Sequence, residues 1–305
     1  MRAVLTLIFW IASLAGCTVP GAVGPIEVVI PDPLPAAPAV TAAPVATEID
    51  VMVWCGADPA DPSLAGTTVR SFAFHGVDIT FGPCRDPGPG YSPAFTGSRY
   101  ASPEEYMELV LLNAGVGMRT MVYDARLWDA DPAIQAVAVA FWAPVTSSIA
   151  GWDMGDEFDP SGAEWAILIE RWRRVEALGT PVRPFTNHLP NGEPWGSAIE
   201  AWLRDMPDAA AREISFDSYD AGVAHAVAYR DRTALLTCAF NAYKHAHFAP
   251  TAVSVAEEMR KLEEAGCDRL LAFGGARLAI GDFGDTLLDK YGNATGLLVA
   301  VGRRT

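Results

Sequence analysis

Ile149-Ala150-Gly151-Trp152-Asp153-Met154-Gly155-Asp156-Glu157-Phe158-Asp159-Pro160 is a short apolar run that ends in a cluster of carboxylates and a proline. An amphipathic stretch follows it, so the segment reads as a strand feeding a helix. Side chains alternate along a strand, which places Gly151, Asp153, Gly155 and Glu157 on one face and Trp152 and Met154 on the other. The bulky pair belongs against helices. Glu157 then points away from them, above two glycines that leave space beneath it.

Working outward, the same strand-then-helix unit recurs on both sides. Ile49–Trp54 is an apolar run, followed by a helix over Pro62–His75 that Gly76 stops. Val77–Phe81 is the next strand, and Ser102-Pro103-Glu104-Glu105 opens a helix with an N-cap, a proline at N1 and acids in the first turn. Gly117–Tyr123 precedes a helix over Pro132–Trp142. After the central strand, Ser161 is placed to cap a helix that runs to Leu178. Val182–Thr186, Glu213–Phe216, Ala234–Phe240 and Asp268–Phe273 supply four more strands, and a last helix falls within Asp285–Val301. Eight such units over residues 48–305 fit a single (β/α)₈ TIM barrel of about 250 residues. An open doubly wound sheet is the alternative; the count of eight and the lack of a Gly-rich phosphate loop favour the barrel.

The ends of the chain differ from this pattern. Arg2, the apolar run Ala3–Ser13 and Leu14-Ala15-Gly16-Cys17 resemble a bacterial lipoprotein signal (residues 1–16), with Cys17 as the lipidated residue. An ordinary signal peptide with a chance cysteine is the other possibility. The run falls short of the roughly 20 apolar residues that span a bilayer. Residues 17–47, rich in Pro, Ala and Val and nearly free of charge, read as an extended tether. The expected location is therefore the cell envelope, lipid-anchored to the outside of a bacterial membrane. Half of the chain is hydrophobic and its net charge is −15. That charge disfavours nucleic acid and anionic lipid head groups, and suits neutral or cationic partners.

Polar residues at the C-terminal ends of barrel strands usually line the active site. Glu157 and Asp217 are the catalytic candidates. In Ile214-Ser215-Phe216-Asp217-Ser218-Tyr219-Asp220, Ile214 and Phe216 face the helices and turn Ser215, Asp217 and Tyr219 inward. A structural Asp217, bound to loop amides, is an equal alternative. Asp124 and Asp156 are further acids at strand ends. Trp54, Tyr123 and Tyr219, with Trp128, Trp195 and Tyr243, offer aromatic faces of the kind that stack on sugar rings. Asn187, Asn241 and Arg277 are hydroxyl-binding candidates by position. His245-Ala246-His247 lacks a third ligand nearby and reads as surface histidines. No cofactor motif is present, and none is expected.

Gly151-Trp152 followed by Asp156-Glu157 and a helix resembles strand four of the (β/α)₈ glycoside hydrolases. In their large retaining clan, the Glu after an Asn on that strand is the general acid/base. The resemblance implies that role for Glu157, with Asp156 where the Asn would stand, and a carbohydrate substrate. Strand seven departs from the clan, because Thr237-Cys238-Ala239-Phe240-Asn241-Ala242-Tyr243 has no carboxylate for the nucleophile. The chitinase-like barrels, with Asp-x-Asp-x-Glu on strand four, match only as Asp153-x-Gly155-x-Glu157. Glycoside hydrolysis ordinarily needs two carboxylates, so Asp217 is taken as the ionised partner. A barrel that binds a glycan or a protein partner without catalysis stays open as the other function.

Besides Cys17 the chain has Cys55, Cys84, Cys238 and Cys267. Cys55 and Cys84 follow adjacent strands and are expected to form a disulfide. Cys238 reads as near the top of its strand and Cys267 as at the bottom of the next, so both are expected to be buried thiols.

Overall fold

The computed structural model describes residues 49–83, 101–189, 198–217, 222–242, 250–273, 287–288 and 294–302. They form β1 (Asp50–Val53), α1 (Pro62–Phe74), β2 (Ile79–Thr80), α2 (Pro103–Ala114), β3 (Arg119–Val122), α3 (Pro132–Trp142), β4 (Ile149–Asp156), α4 (Ala163–Ala177), β5 (Pro184–Asn187), α5 (Ala198–Asp205), α6 (Pro207–Arg212), β6 (Ile214–Asp217), α7 (Gly222–Tyr229), β7 (Leu236–Asn241), α8 (Ala252–Glu264), β8 (Arg269–Phe273) and α9 (Gly296–Gly302). The strands pair in the order β5-β4-β3-β2-β1-β8-β7-β6, and every pairing between them is parallel. Between β5 and β6 the ring is closed at His188, whose N–H donates to the Ser215 carbonyl (3.0 Å) and whose carbonyl accepts from the Asp217 N–H (2.9 Å). The architecture is a single (β/α)₈ barrel.

Period-2 alternation sorts the strand residues into two cores. Met52, Ile79, Phe81, Met121, Phe185, Ala239 and Leu271 fill the barrel interior. Their neighbours, such as Val51, Val53, Val122, Trp152, Ile214, Phe216, Leu270 and Ala272, pack outward against the helices. Both faces are thus buried, which explains the continuous apolar runs. On α4, Trp165, Leu168, Trp172 and Val175 recur at helical spacing and turn one face inward. Asn113 on α2 ties the helix layer to the sheet, donating to Thr80 Oγ1 (2.7 Å) and Thr120 Oγ1 (2.8 Å).

The helix signals work as expected at Ser102, where a full capping box forms with Glu105. Ser161 does not cap α4. Gly162 holds that position, and the Ser161 hydroxyl donates instead to Asp159 Oδ1 (2.8 Å).

The second cysteine expectation is overturned, since Cys238 and Cys267 form a disulfide with Cα atoms 6.0 Å apart. Cys238 is the third of six residues in β7, lower than its sequence position suggested, and its side chain faces the helix layer. Cys267 leaves α8 through Gly266 (φ 97°) on that same outer side, before the chain enters β8. The strand assignments stand; the error was to place Cys238 near the top of its strand, out of reach of Cys267 below β8. Cys55 is also disulfide-bonded. Its expected partner Cys84 lies outside the described residues, as do Cys17 and the tether.

At the N-terminal end of the barrel the charges alternate in sign. Asp50 accepts from Arg119 Nη2 (3.0 Å) and Arg269 Nε (3.2 Å), and Arg269 Nη1 reaches Glu213 (3.1 Å). Burial pushes the Glu213 carboxyl up, against the opposing pull of Arg269, Thr237 and Arg183.

Candidate active site at the barrel mouth

The opposite end is built around an irregularity in β4. Asp153 pairs with Phe185, yet the next registered pair is Asp156 with Asn187, so β4 spends three residues where β5 spends two. This is a β-bulge. Gly155 sits within it at φ 113°, a conformation that side chains disfavour. Asp153 Oδ1 accepts the Gly155 N–H (3.0 Å), and Thr186 Oγ1 donates to the Gly155 carbonyl (3.0 Å), so both sides of the bulge are held.

The bulge changes which acid faces inward. Strict alternation put Glu157 on the inner face with Asp153. With one residue taken up by the bulge, Asp156 pairs with inward-facing Asn187 and joins Asp153 on that face. Glu157 follows in a left-handed conformation (φ 51°), and its N–H donates to the Asn187 carbonyl (3.1 Å). The expected space above Gly151 is also filled: a Cβ there would lie 2.9 Å from Met121 Sδ.

A hydrogen-bonded line crosses the inner face of three strands. Ser215 Oγ on β6 donates to Asn187 Oδ1 on β5 (2.7 Å), and Asn187 Nδ2 donates to Asp156 Oδ1 on β4 (3.1 Å). Ser215 and Asn187 are buried, while Asp156 is half-buried at the rim. Asp217 lies two residues beyond Ser215 and is 1% exposed.

The electrostatics follow from this crowding. The Asp156 carboxyl is pushed well above the ordinary aspartate range, chiefly by burial, then by the negative charges of Glu157 and Asp217, with a smaller push from Asp153. The Asn187 hydrogen bond opposes these effects in part. Among the described residues, every charge acting on Asp156 is negative. Also among the described residues, no three Asp, Glu, His or Cys converge as a metal cage. Such a site suits holding and delivering a proton.

The other expected residues divide. Trp54 is half-buried above the interior core and packs on Phe81 (ring centroids 4.5 Å), which in turn meets Phe185 edge-on (5.6 Å). It remains a candidate sugar platform. Tyr123 instead packs edge-on against Trp128 (5.2 Å) and against the outer core. Asp124 is committed to structure: it binds the Arg126 guanidinium (2.7 Å at closest), accepts from Trp142 Nε1 (2.7 Å) and caps a 3₁₀ turn through the Arg126 N–H (3.0 Å). A buried acid so fully engaged has little capacity left for substrate. Asn241 ends β7, but its side chain is outside the described residues, as are Trp195, Tyr219, Tyr243, His245, His247 and Arg277.

One buried polar residue gave no signal in the sequence. His188, at the closing bridge, is fully enclosed between Trp165 and Trp202 (ring centroids 5.8 and 4.8 Å). Among the described residues neither ring nitrogen has a hydrogen-bond partner, and burial lowers its pKa to about 3.

No family model matches the sequence, and no curated protein matches it. Solved structures do share its fold. CbXyn10B in native form superposes with a TM-score of 0.52 at 9% identity, over 82% of this chain and 95% of that one. A β-galactosidase from the Antarctic haloarchaeon Halorubrum lacusprofundi gives 0.49 at 14% identity, over 83% of this chain and 57% of that one. A GH18 chitinase from Pseudoalteromonas aurantia gives 0.44 at 11% identity, over 73% and 93%. At such identities the likeness shows the barrel alone. Other barrels of similar score include a sugar phosphate isomerase/epimerase and a lyase. The fold is one that glycoside hydrolases use, and the reaction must be argued from the site.

Proposed function

We propose that the protein is a glycoside hydrolase-like enzyme whose barrel mouth cleaves a glycosidic bond in a carbohydrate. The observation that carries this is the half-buried Asp156 at the end of β4, whose carboxyl is pushed well above the ordinary aspartate range by burial and by the charges of Glu157 and of Asp217 on β6. Glycoside hydrolysis needs one carboxylic acid to protonate the leaving oxygen and one carboxylate to attack the sugar or activate water. Like charges that push one member's pKa upward provide that division of labour.

In this scheme Asp156 is the acid and Asp217 the opposing carboxylate. Glu157, given the acid/base role on sequence grounds, is the immediate neighbour whose charge helps to keep Asp156 protonated. Trp54 offers a ring face beside the mouth. The protein is proposed to act outside the cytoplasm, held to a membrane by lipid on Cys17. The Cys238–Cys267 disulfide supports an oxidising compartment, and the net charge of −15 supports a neutral glycan over nucleic acid.

A panel of polysaccharides incubated with the parent and with Asp156→Asn, Glu157→Gln and Asp217→Asn tests this reading. The parent should release reducing ends from at least one, and Asp156→Asn and Asp217→Asn should lose about 10²–10⁴-fold in rate. Full loss in Glu157→Gln with a mild effect of Asp156→Asn would move the acid role to Glu157. A second reading, a barrel that binds glycan without cleaving it, is favoured by the absence of a carboxylate in β7. Binding without product from any polysaccharide would establish it.

A further inference from the structure

Asp156 has two oxygens, and they are not equivalent. Oδ1 accepts from Asn187 Nδ2, whereas Oδ2 accepts no hydrogen bond among the described residues. An Asn side chain can turn over and exchange its amide group for its carbonyl. Were Asn187 to do so, its Oδ1 would face Asp156 and accept the acid's proton, tying that proton down.

Ser215 opposes that turn. Its hydroxyl donates to Asn187 Oδ1 across the β5–β6 seam. With the carbonyl occupied on one side, the amide is directed to Asp156 on the other. Both residues are buried, and each is held by its own strand.

We propose that Ser215 and Asn187 are a positioning pair that keeps the transferable proton of Asp156 on Oδ2, the oxygen that Asn187 does not engage. The pair deepens the glycosidase reading by fixing where the acid's proton is held, and it rests on that reading for its purpose. Among the described residues, the groups that act on Asp156 are Asp153 and Glu157 on its own strand segment, Asn187 on β5 and Asp217 on β6. All but Asn187 carry acidic side chains, so a turned amide would strengthen proton retention further.

The test is a carboxyl titration by ¹³C NMR of the substrate-free protein, with the Asp156 resonance assigned by its loss in Asp156→Asn. Ser215→Ala should shift the Asp156 midpoint upward, because the freed Asn187 carbonyl can accept its proton. Ser215→Thr, which keeps the hydroxyl, should titrate like the parent. Amide spectra of each variant establish that it is folded. A midpoint that stays put in folded Ser215→Ala overturns the proposal. So does an equal shift in Ser215→Thr, which would assign the effect to packing and not to the hydroxyl. If Ser215→Ala does not fold, Asn187→Leu replaces it: losing the amide donor should raise the midpoint, and an unmoved midpoint refutes the pair. Because no substrate is used, failure to find glycosidase activity would leave this result intact.

Discussion

At the N-terminal end of the barrel, Asp50, Arg119, Glu213 and Arg269 alternate in sign and pair; at the C-terminal end, Asp153, Asp156, Glu157 and Asp217 share one sign. The lower set stands on β1, β3 and β8 and at the entry to β6, the upper set at the ends of β4 and β6. Pairing satisfies a buried charge, so the lower set holds the strands together. Crowding of like charges raises the energy of the ionised form, which together with burial pushes the Asp156 carboxyl upward. Under the proposed function the lower end serves stability and the upper end chemistry, the division expected of this fold.

That contrast can be broken most sharply at Asp156. The Asn variant should lose about 10²–10⁴-fold in any glycosidase rate, yet it should not lose stability. The folded-state pKa of Asp156 lies above the 3.8 of an ordinary aspartate. Its contribution to stability is thus in place below about pH 4 and is lost as pH rises through the folded value. Asp156→Asn, neutral at every pH, should melt higher than the parent at neutral pH. A lower melting temperature would mean that the mouth acids are paired like those below.

The next effect in size belongs to the Cys238–Cys267 bridge, which closes a loop of 29 residues' separation on the β7–β8 side. Its removal by paired Ala substitutions should cost roughly 3–4 kcal/mol in chemical denaturation. Any activity should survive in the folded fraction, since the bridge lies on the outer face. At the lower end, Arg269→Met leaves Asp50 and Glu213 without their shared cation. A loss of about 2 kcal/mol, with unchanged turnover, is expected.

His188 gives the finest test, because it closes the ring where β5 meets β6. Its pKa falls from 6.5 to about 3 on folding. The neutral ring's stability is complete above pH 6.5 and is lost as pH falls toward 3, at up to about 1.4 kcal/mol per pH unit. His188→Phe should flatten that acid limb in melting curves taken between pH 4 and 7. A parental slope would place the acid sensitivity elsewhere.

Much of the barrel was legible because its signals are local. The helix over Pro132–Trp142 begins at a proline behind Asp131 and ends as read, and Ser102 with Glu105 announces its own capping box. The site was less legible because it depends on register. Nothing within β4 says that Gly155 will be taken up by a bulge; that emerges only when Asp153 and Asp156 are paired against Phe185 and Asn187. The same holds for Asp124, whose strand-end position suggested substrate until Arg126 and Trp142 were seen to occupy it. The Cys238–Cys267 bridge escaped because it joins a strand to a helix-layer turn, a contact in the third dimension that strand order does not reveal.

The measurement that bears most directly on the contrast between the two ends is the carboxyl titration of the parent set against Asp156→Asn. Besides Glu213, which burial also pushes up, the parent should show a carboxyl group titrating well above the ordinary aspartate range, and that group should be missing from the variant. If the signal lost in Asp156→Asn is one that titrates in the ordinary range, the mouth does not store a proton on Asp156, and the assignment of the upper end to acid chemistry falls.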